Sequence, residues 1–384
     1  MAGNTFGHYL QATTFGESHG VAVGCVVQGV PAGVPLTAAQ LQRWLDRRKP
    51  AQNALQSQRK EADHAEIMSG VAQGLTLGTP ILVLVTNQDG RAKEYEQLDH
   101  DFRPGHADWT WDARYGHRDP RGGGRASARE TVARVIAGAI AQAVLDAWSL
   151  AHRALPITAI AWSDAIGDVR ANGPPPHAIT GLACSGWAFA PCTLDHAQID
   201  CSLVRCPDSD ASAAMVAAIE AAQLRRDSIG GRVRCVVRNL PAGLGDPVFD
   251  KLTATIGHAV LSLPACRGIE FGSGMASAEM AGSQHNDPFV PGSQPLRTAT
   301  NHHGGTLGGI STGMPLVFDA AFKPAATIAQ SQGVADAKGH VRSLAIKGRH
   351  DPCVVPRAVP IVEAAAIFCV ADALLGLHIA RIQE

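Results

Sequence analysis

The sequence is poor in aromatic residues: Phe, Trp and Tyr make up 5% of its 384 residues. That is thin material for a surface that stacks a strand of bases. A charge excess of either sign is missing too, with a formal net charge of −1 and an isoelectric point of about 7.0. Neither nucleic acid nor an acidic membrane surface is therefore expected as a partner. The nine cysteines include no C-x-x-C pair and no Cys/His spacing of a zinc site, so reduced thiols and no metal are expected. The opening MAGNTFGHYL has no basic region followed by an apolar run, which points to the cytoplasm. Ile361–Ala380 is apolar over roughly a membrane span. It carries Glu363, Asp372 and His378, however, and reads as a helix buried in a soluble core. A G-x-S-x-G nucleophile elbow is absent. The nearest approach to a dinucleotide fingerprint, GSGMAS from Gly272, lacks the third glycine.

What the chain does have is glycine, 40 residues of it, and local positive charge. Seven arginines fall between Arg103 and Arg134, and smaller knots lie at Arg47–Lys49 and Arg59–Lys60. The stretch RGGGRASARET, Arg121–Thr131, sets three glycines beside Arg121, Arg125 and Arg129, with Ser127 and Glu130 in capping-box spacing. Bare backbone, the free N–H groups of a helix start and bidentate cations together suit an anion such as phosphate. The Lys-Ser/Thr pair of a nucleotide P-loop is missing.

The chain repeats itself. CVVQGVPAG at Cys25 recurs as CVVRNLPAG at Cys235, and Ser18 and Gly20 match Ser228 and Gly230. GVAQGLTLGTPILVLV, from Gly70, resembles GGISTGMPLVFDA, from Gly308. In each half a loop of Arg, Gly and His precedes a long apolar helix. One domain over 1–384 is expected, with pseudo-symmetric halves of about 1–160 and 200–384 and a loop-rich linker over about Asp164–Gln198. Val-rich alternation predicts strands at VAVGCVVQGV, PILVLV, GRVRCVVRNL and MPLVFDAAF. Long helices are predicted after Thr37, Ser127 and Arg357, with shorter ones between. The fold class expected is α+β, a layered arrangement of antiparallel strands on buried helices rather than a doubly wound sheet.

Several loops carry candidate chemistry. TTFGESHG fixes His19 between Gly16 and Gly20 just before a strand, a place that suits acid–base work. FRPGHADWT presents His106 on a Pro-Gly turn, where Asp108 would orient it or hold it protonated. KGRHDPCVVPRAVP brings Arg349, His350 and Asp351 before Pro352. NHHGGTLGGIS could let a planar ring lie on backbone, and FKPAAT adds Lys323 in a turn. Together they suit a highly anionic small molecule, and more than one anionic ligand, that gains or loses a proton.

TTFGESHG, RPGHAD, YGHRDPRGGGRASARET and KGRHDPCVVPRAVP resemble, in this order, the signature stretches of the chorismate synthase family. The similarity runs from Thr5 to about Leu375 and is weaker around 165–200. The resemblance implies a β-α-β sandwich and a homotetramer. It implies an anti 1,4-elimination of phosphate from 5-enolpyruvylshikimate 3-phosphate to give chorismate, using reduced FMN without net redox change. It implies His19 as proton donor to the departing phosphate, and His106 as keeper of the flavin's protonation state. Asp351 would take part in removing the ring proton. Arg48, Arg103 and Arg129 would hold the substrate or NADP, and Arg125 and Arg349 would share in holding its anionic groups. The FMN positions implied are Arg125, Ala126, Ser127, Pro264, Ala265, Gly308, Lys323, Pro324, Ala325, Ala326, Thr327 and Arg349. Departures are Ala126, Ala325 and Ala326, where the family offers hydroxyls, and Ala54, where members that reduce their own flavin have a second arginine. An outside source of electrons is therefore expected. The rival readings are an NAD(P)H-dependent flavin reductase and a non-enzymatic anion-binding or RNA-binding module.

Overall fold

Val23, Cys25 and Val27 turn to one side of their strand and are buried, as strict alternation requires. The computed structural model describes residues 3–56, 61–88, 101–119, 121–181, 186–345 and 351–380. Five strands form a first antiparallel sheet: β1 (Thr5–Phe6), β2 (Gln11–Phe15), β3 (Ala22–Gln28), β4 (Glu66–Ile67) and β7 (Ile81–Thr86), in the order β1-β2-β3-β7-β4. Between β4 and β7 lies the small hairpin of β5 (Val71–Ala72) and β6 (Leu75–Thr76). A second antiparallel sheet holds β9 (Thr158–Ile166), β10 (Val169–Arg170), β11 (Gly231–Arg238), β12 (Cys266–Phe271) and β15 (Leu316–Phe322), in the order β10-β9-β11-β15-β12. The two CVV segments are the middle strands, β3 and β11. Each lies between an earlier strand and a later one, β3 between β2 and β7 and β11 between β9 and β15, with Cys25 opposite Val83 and Cys235 opposite Phe318.

The expected linker begins later than its sequence suggests. Asp164 lies inside β9, where its carboxylate pairs with Arg232 (3.0 Å) and Arg234 (3.3 Å) of β11. That pairing draws β9 and β10 into the second sheet, and the loop-rich stretch follows them.

Two long helices, α3 (Thr131–Ala151) and α8 (Val355–Ala380), pack on each other between the sheets, α3 facing β2 and β3, α8 facing β9 and β11. Their backbones touch at Gly138, where an added Cβ would lie 2.5 Å from that of Ala364. Both helices are long and apolar enough to cross a membrane, yet most of each is buried in this core. Glu363, fully buried in α8, keeps its charge by pairing with Arg47 and accepting the Ala161 N–H at 2.8 Å. Burial alone would raise its pKa, but Arg47 and His196 hold it at about 2.

Of the other helices, α1 (Ala38–Arg48) packs on both central helices, and Thr37 and Gln40 form the expected capping box. The rest are α2 (Asp108–Tyr115), α4 (His196–Asp200), α5 (Ser209–Leu224), α6 (Leu252–Leu261), which packs on α8, and α7 (Gly282–His285). Ser127 does not cap an α-helix directly. It accepts the Arg129 N–H at 3.3 Å and opens a 3-10 turn, Ala128–Glu130, before α3 begins. Ala128 O accepts from Arg48 Nη2 (2.7 Å) and Thr131 Oγ1 (2.6 Å), which holds the tighter turn in place. Glu130, instead of closing a capping box, pairs with Arg134 at 2.9 Å.

The halves are also laced together outside the core. The short strand β8 (Asp101–Phe102) pairs with β16 (Gln332–Asp336), which continues to β17 (Val341–Leu344). This brings the Arg103–Asp108 loop of the first half against the Lys323–Thr327 loop of the second. A last hairpin, β13 (Thr306–Leu307) and β14 (Ile310–Ser311), stands beside the start of α6, where Gly309 O accepts the Leu252 N–H at 2.8 Å.

Candidate active site

Loops from both halves meet in one cavity of about 210 Å³ at the N-terminal ends of α3 and α8. Lining it are His19, Arg48, Arg103, His106, Ala126, Ser127, Arg129, Ala325, Ala326, Thr327 and Asp351, together with Arg357. Eleven residues that the sequence singled out are thus collected from six separate segments. An open cleft of about 850 Å³ adjoins the cavity and shares His106, Gly123 and Ala126 with it.

The glycines of RGGGR lie between the two imidazoles. A Cβ added at Gly122, whose φ is +81°, would stand 2.6 Å from His19 Cε1, and one at Gly123 would stand 3.4 Å from His106 Nε2. Any side chain at 122 would strike His19, so bare backbone is a steric requirement here. Buried Ser18 reaches His19 Nδ1 at 2.9 Å and ties its own N–H to Gly124 O at 3.3 Å.

His106 is held from behind. Its Nδ1 lies 2.8 Å from Asp108 Oδ1 and 3.0 Å from Arg103 Nη2. Asp108 also takes a two-point hydrogen bond from Arg103, at 2.7 and 2.8 Å. Burial would raise the Asp108 pKa, but the hydrogen bonds from Arg103 and His106 hold it far below the usual carboxylate range. An ionised carboxylate only accepts, so its contact with His106 requires Nδ1–H. Burial lowers the His106 pKa, Asp108 opposes, and Arg103 and Lys323 push it lower still. The imidazole is therefore neutral at pH 7, with Nε2 as an unprotonated acceptor facing Gly123. Asp108 orients His106; it does not hold it protonated.

The cations are held by buried acids. Asp63, with no exposed side chain, accepts from Arg48 at 2.9 Å and from Arg129. Burial and the neighbouring Arg357 and Arg129 lower the Arg48 pKa to about 9 against the pull of Asp63, which leaves it cationic at neutral pH. Arg129 donates from Nε to Asn87 Oδ1 at 2.8 Å, and its buried Nη2 makes no hydrogen bond among the described residues but lies 3.7 Å from Glu61 Oε2. Asp351 is gripped by Arg357.

Other expected positions lie beside the cavity or away from it. Arg125 turns into the open cleft, where its guanidinium binds Thr14 Oγ1 (2.6 Å) and Gly16 O (3.3 Å). Lys323 Nζ donates to Gly105 O at 2.7 Å, at the turn that presents His106. Pro324 packs against Gly230. Ala265 O accepts the Lys323 N–H at 3.0 Å, which places the Pro264–Ala265 turn behind that loop rather than on the cavity. Gly308 stands in the β13–β14 turn, not among the residues lining the cavity. Arg349 and His350 lie outside the described residues.

Asp63 and the anchoring role of Arg357 escaped the sequence reading. Arg357 was visible as a basic residue opening a helix, but Asp63 sits in EADHAE with no motif, on a left-handed turn (φ +49°) that no glycine announces.

Residues 10–375 match the family model for chorismate synthase. A chorismate synthase from Chloroflexus aurantiacus is 47% identical over 383 residues, covering 100% of this chain and 98% of that protein. One from a Synechococcus strain is 48% identical over 376 residues, covering 98% and 94%. Among solved structures, a crystal structure of chorismate synthase superposes with a TM-score of 0.73 at 28% identity, covering 96% of this chain and 92% of that one.

Proposed function

The chain belongs to the chorismate synthase family, and from that premise we propose how its own residues divide the work. The enzyme is a carbon–oxygen lyase that removes phosphate and a ring hydrogen from 5-enolpyruvylshikimate 3-phosphate in an anti 1,4-elimination, giving chorismate. One observation supports the assignment of residues above the rest. Arg129, a buried guanidinium held by Asp63, Asn87 and Glu61, lines the cavity that also holds His19, His106 and Asp351. Arg129 offers its positive charge to an anion, and Arg48 and Arg103 add to the charge around it.

His19 gives a proton to an oxygen of the departing phosphate, and the fixed Ser18 contact at Nδ1 leaves Nε2 as the working nitrogen. Arg129 and Arg48 stabilise the negative charge that grows on the leaving group. Asp351, steadied by Arg357, takes part in removing the ring proton. His106 presents a neutral Nε2 acceptor beside the glycine strip, where it would keep the reduced flavin in its working protonation state.

The cofactor that fits is reduced FMN. The cavity alone is smaller than the roughly 300–1,000 Å³ usual for ligand sites, and the adjoining cleft brings the space into that range. Ser127, Thr327, Lys323 and the backbone of Ala126, Ala325 and Ala326 would hold it, with Arg125 at the edge of the cleft. When bound it would lend electron density to the substrate and take it back, which avoids a bare carbanion. Three alanines where the family has hydroxyls leave FMN with fewer hydrogen bonds, each worth about 1 kcal/mol. Ala54 is exposed and offers no charge, so electrons come from an outside reductant. The enzyme works in the cytoplasm as a homotetramer. Phe249 (90% exposed) and Val248 (73% exposed) support self-association.

The deciding assay is anaerobic, with dithionite-reduced FMN and the enolpyruvyl substrate. Phosphate and chorismate should form together in equal amounts. Steady NADPH oxidation with FMN and no substrate would instead favour the flavin reductase.

A further inference from the structure

Asn87 is the first residue past the end of β7, and its side chain joins two parts of the site that otherwise come from distant segments. Its Oδ1 accepts from Arg129 Nε at 2.8 Å. Its Nδ2 donates to Gly20 O at 2.8 Å and to Glu17 O at 3.1 Å. Those two carbonyls are the ends of the turn that carries His19, a turn closed by the Gly20 N–H to Glu17 O bond at 3.1 Å. The amide orientation is fixed by chemistry. A guanidinium can only donate, so the oxygen must face Arg129, and two carbonyls can only accept, so the nitrogen must face the turn. Its backbone is fixed as well. Asn87 N–H donates to Val21 O at 3.0 Å, in register with the neighbouring Ala22–Thr86 pair.

From this geometry we infer that Asn87 is a positioning residue that sets the distance between the proton donor His19 and the phosphate-binding guanidinium of Arg129. The inference rests on the roles given above to His19 and Arg129. A leaving phosphate must meet both groups at once, so a rigid bridge between them keeps acid and anion site in step. Arg129 is anchored on its other edge by Asp63 and needs no second structural partner to stay charged. The turn is likewise closed by its own backbone bond. The bridge therefore adds alignment rather than mere stability, and misalignment by about 1 Å can cost about 100-fold in rate.

The test is a pair of double-mutant cycles. Asn87→Ala should lower kcat about tenfold, and Asn87→Ala combined with His19→Ala should be no slower than His19→Ala alone, within about twofold. In protein without flavin, calorimetric titration with inorganic phosphate should show binding weakened about fivefold by Asn87→Ala, and no further weakening when Arg129→Ala is already present. Losses that simply multiply in both cycles, or unchanged phosphate binding, would overturn the inference. Should Asn87→Ala fail to fold, the isosteric Asn87→Asp enters the His19 cycle, since it cannot donate to either carbonyl. If His19→Ala itself turns over normally, the role of His19 fails instead, a result distinct from failure of the bridge.

Discussion

The same Ser-x-Gly stretch occurs twice in this molecule and does different work each time. Ahead of β3, Ser18-His19-Gly20 puts an imidazole into the cavity. Ahead of β11, the matching Ser228-Ile229-Gly230 puts an apolar side chain against the core. There the Ile229 N–H donates to Pro352 O at 2.8 Å, and Ser228 Oγ donates to Ala325 O at 2.8 Å. Those two bonds fix the segments that bring Asp351 and the Ala325–Ala326 loop to the cavity. One copy carries the proposed proton donor, and the other holds the cavity's segments in place. The long helices show a milder form of the same division. Each has an arginine at its approach, yet Arg129, just before α3 and held by Asp63 and Asn87, is the one proposed to meet the anion, while Arg357, in the first turn of α8, is spent on Asp351.

Substitutions can break or sharpen this contrast. The largest effect is expected in the supporting half. Glu363→Ala leaves Arg47 with Asp200 as its remaining acid and the buried Ala161 N–H without its acceptor, and should cost about 3 kcal/mol of unfolding free energy in urea titrations, with the flavin site lost only through unfolding. Next comes Asp351→Asn, which should bind substrate normally but lower kcat by at least about tenfold; normal turnover would remove Asp351 from proton transfer. His106→Ala should slow turnover by a similar factor with the fold intact by circular dichroism. Asp108→Asn acts more gently and on pH. Asp108 raises the His106 pKa against burial and Arg103, so removing its charge lowers that pKa further. The acid limb of kcat/KM should move to lower pH; an upward move would reverse the assigned relation. The smallest change is Ala126→Ser, which should tighten FMN by about 1 kcal/mol in fluorescence titrations.

The elements themselves were legible because their patterns are local. Alternating valines around Cys25 and Cys235, the Thr37–Gln40 box and the apolar run to Ala380 each announce one element. The repeat at an offset of 210 showed which strands occupy equivalent positions. The cavity was partly legible, since glycine, histidine and arginine clusters mark loops where charge and close backbone meet. What stayed hidden depends on distant partners. Asp164 belongs to a strand because Arg232 and Arg234 lie opposite it. Ser127 opens a 3-10 turn because Arg48, 79 residues earlier, holds Ala128 O. Asp63 and Asn87 carry no motif at all, and their importance comes from the arginines that fold onto them.

The most direct measurement is phosphate release in a single anaerobic turnover, compared between His19→Ala and Ile229→Ala at equal concentrations of folded enzyme. The division of labour predicts a loss of more than about tenfold for His19→Ala and a rate within about twofold of the parent for Ile229→Ala. Equal losses in the two variants, or a normal rate for His19→Ala, would contradict it.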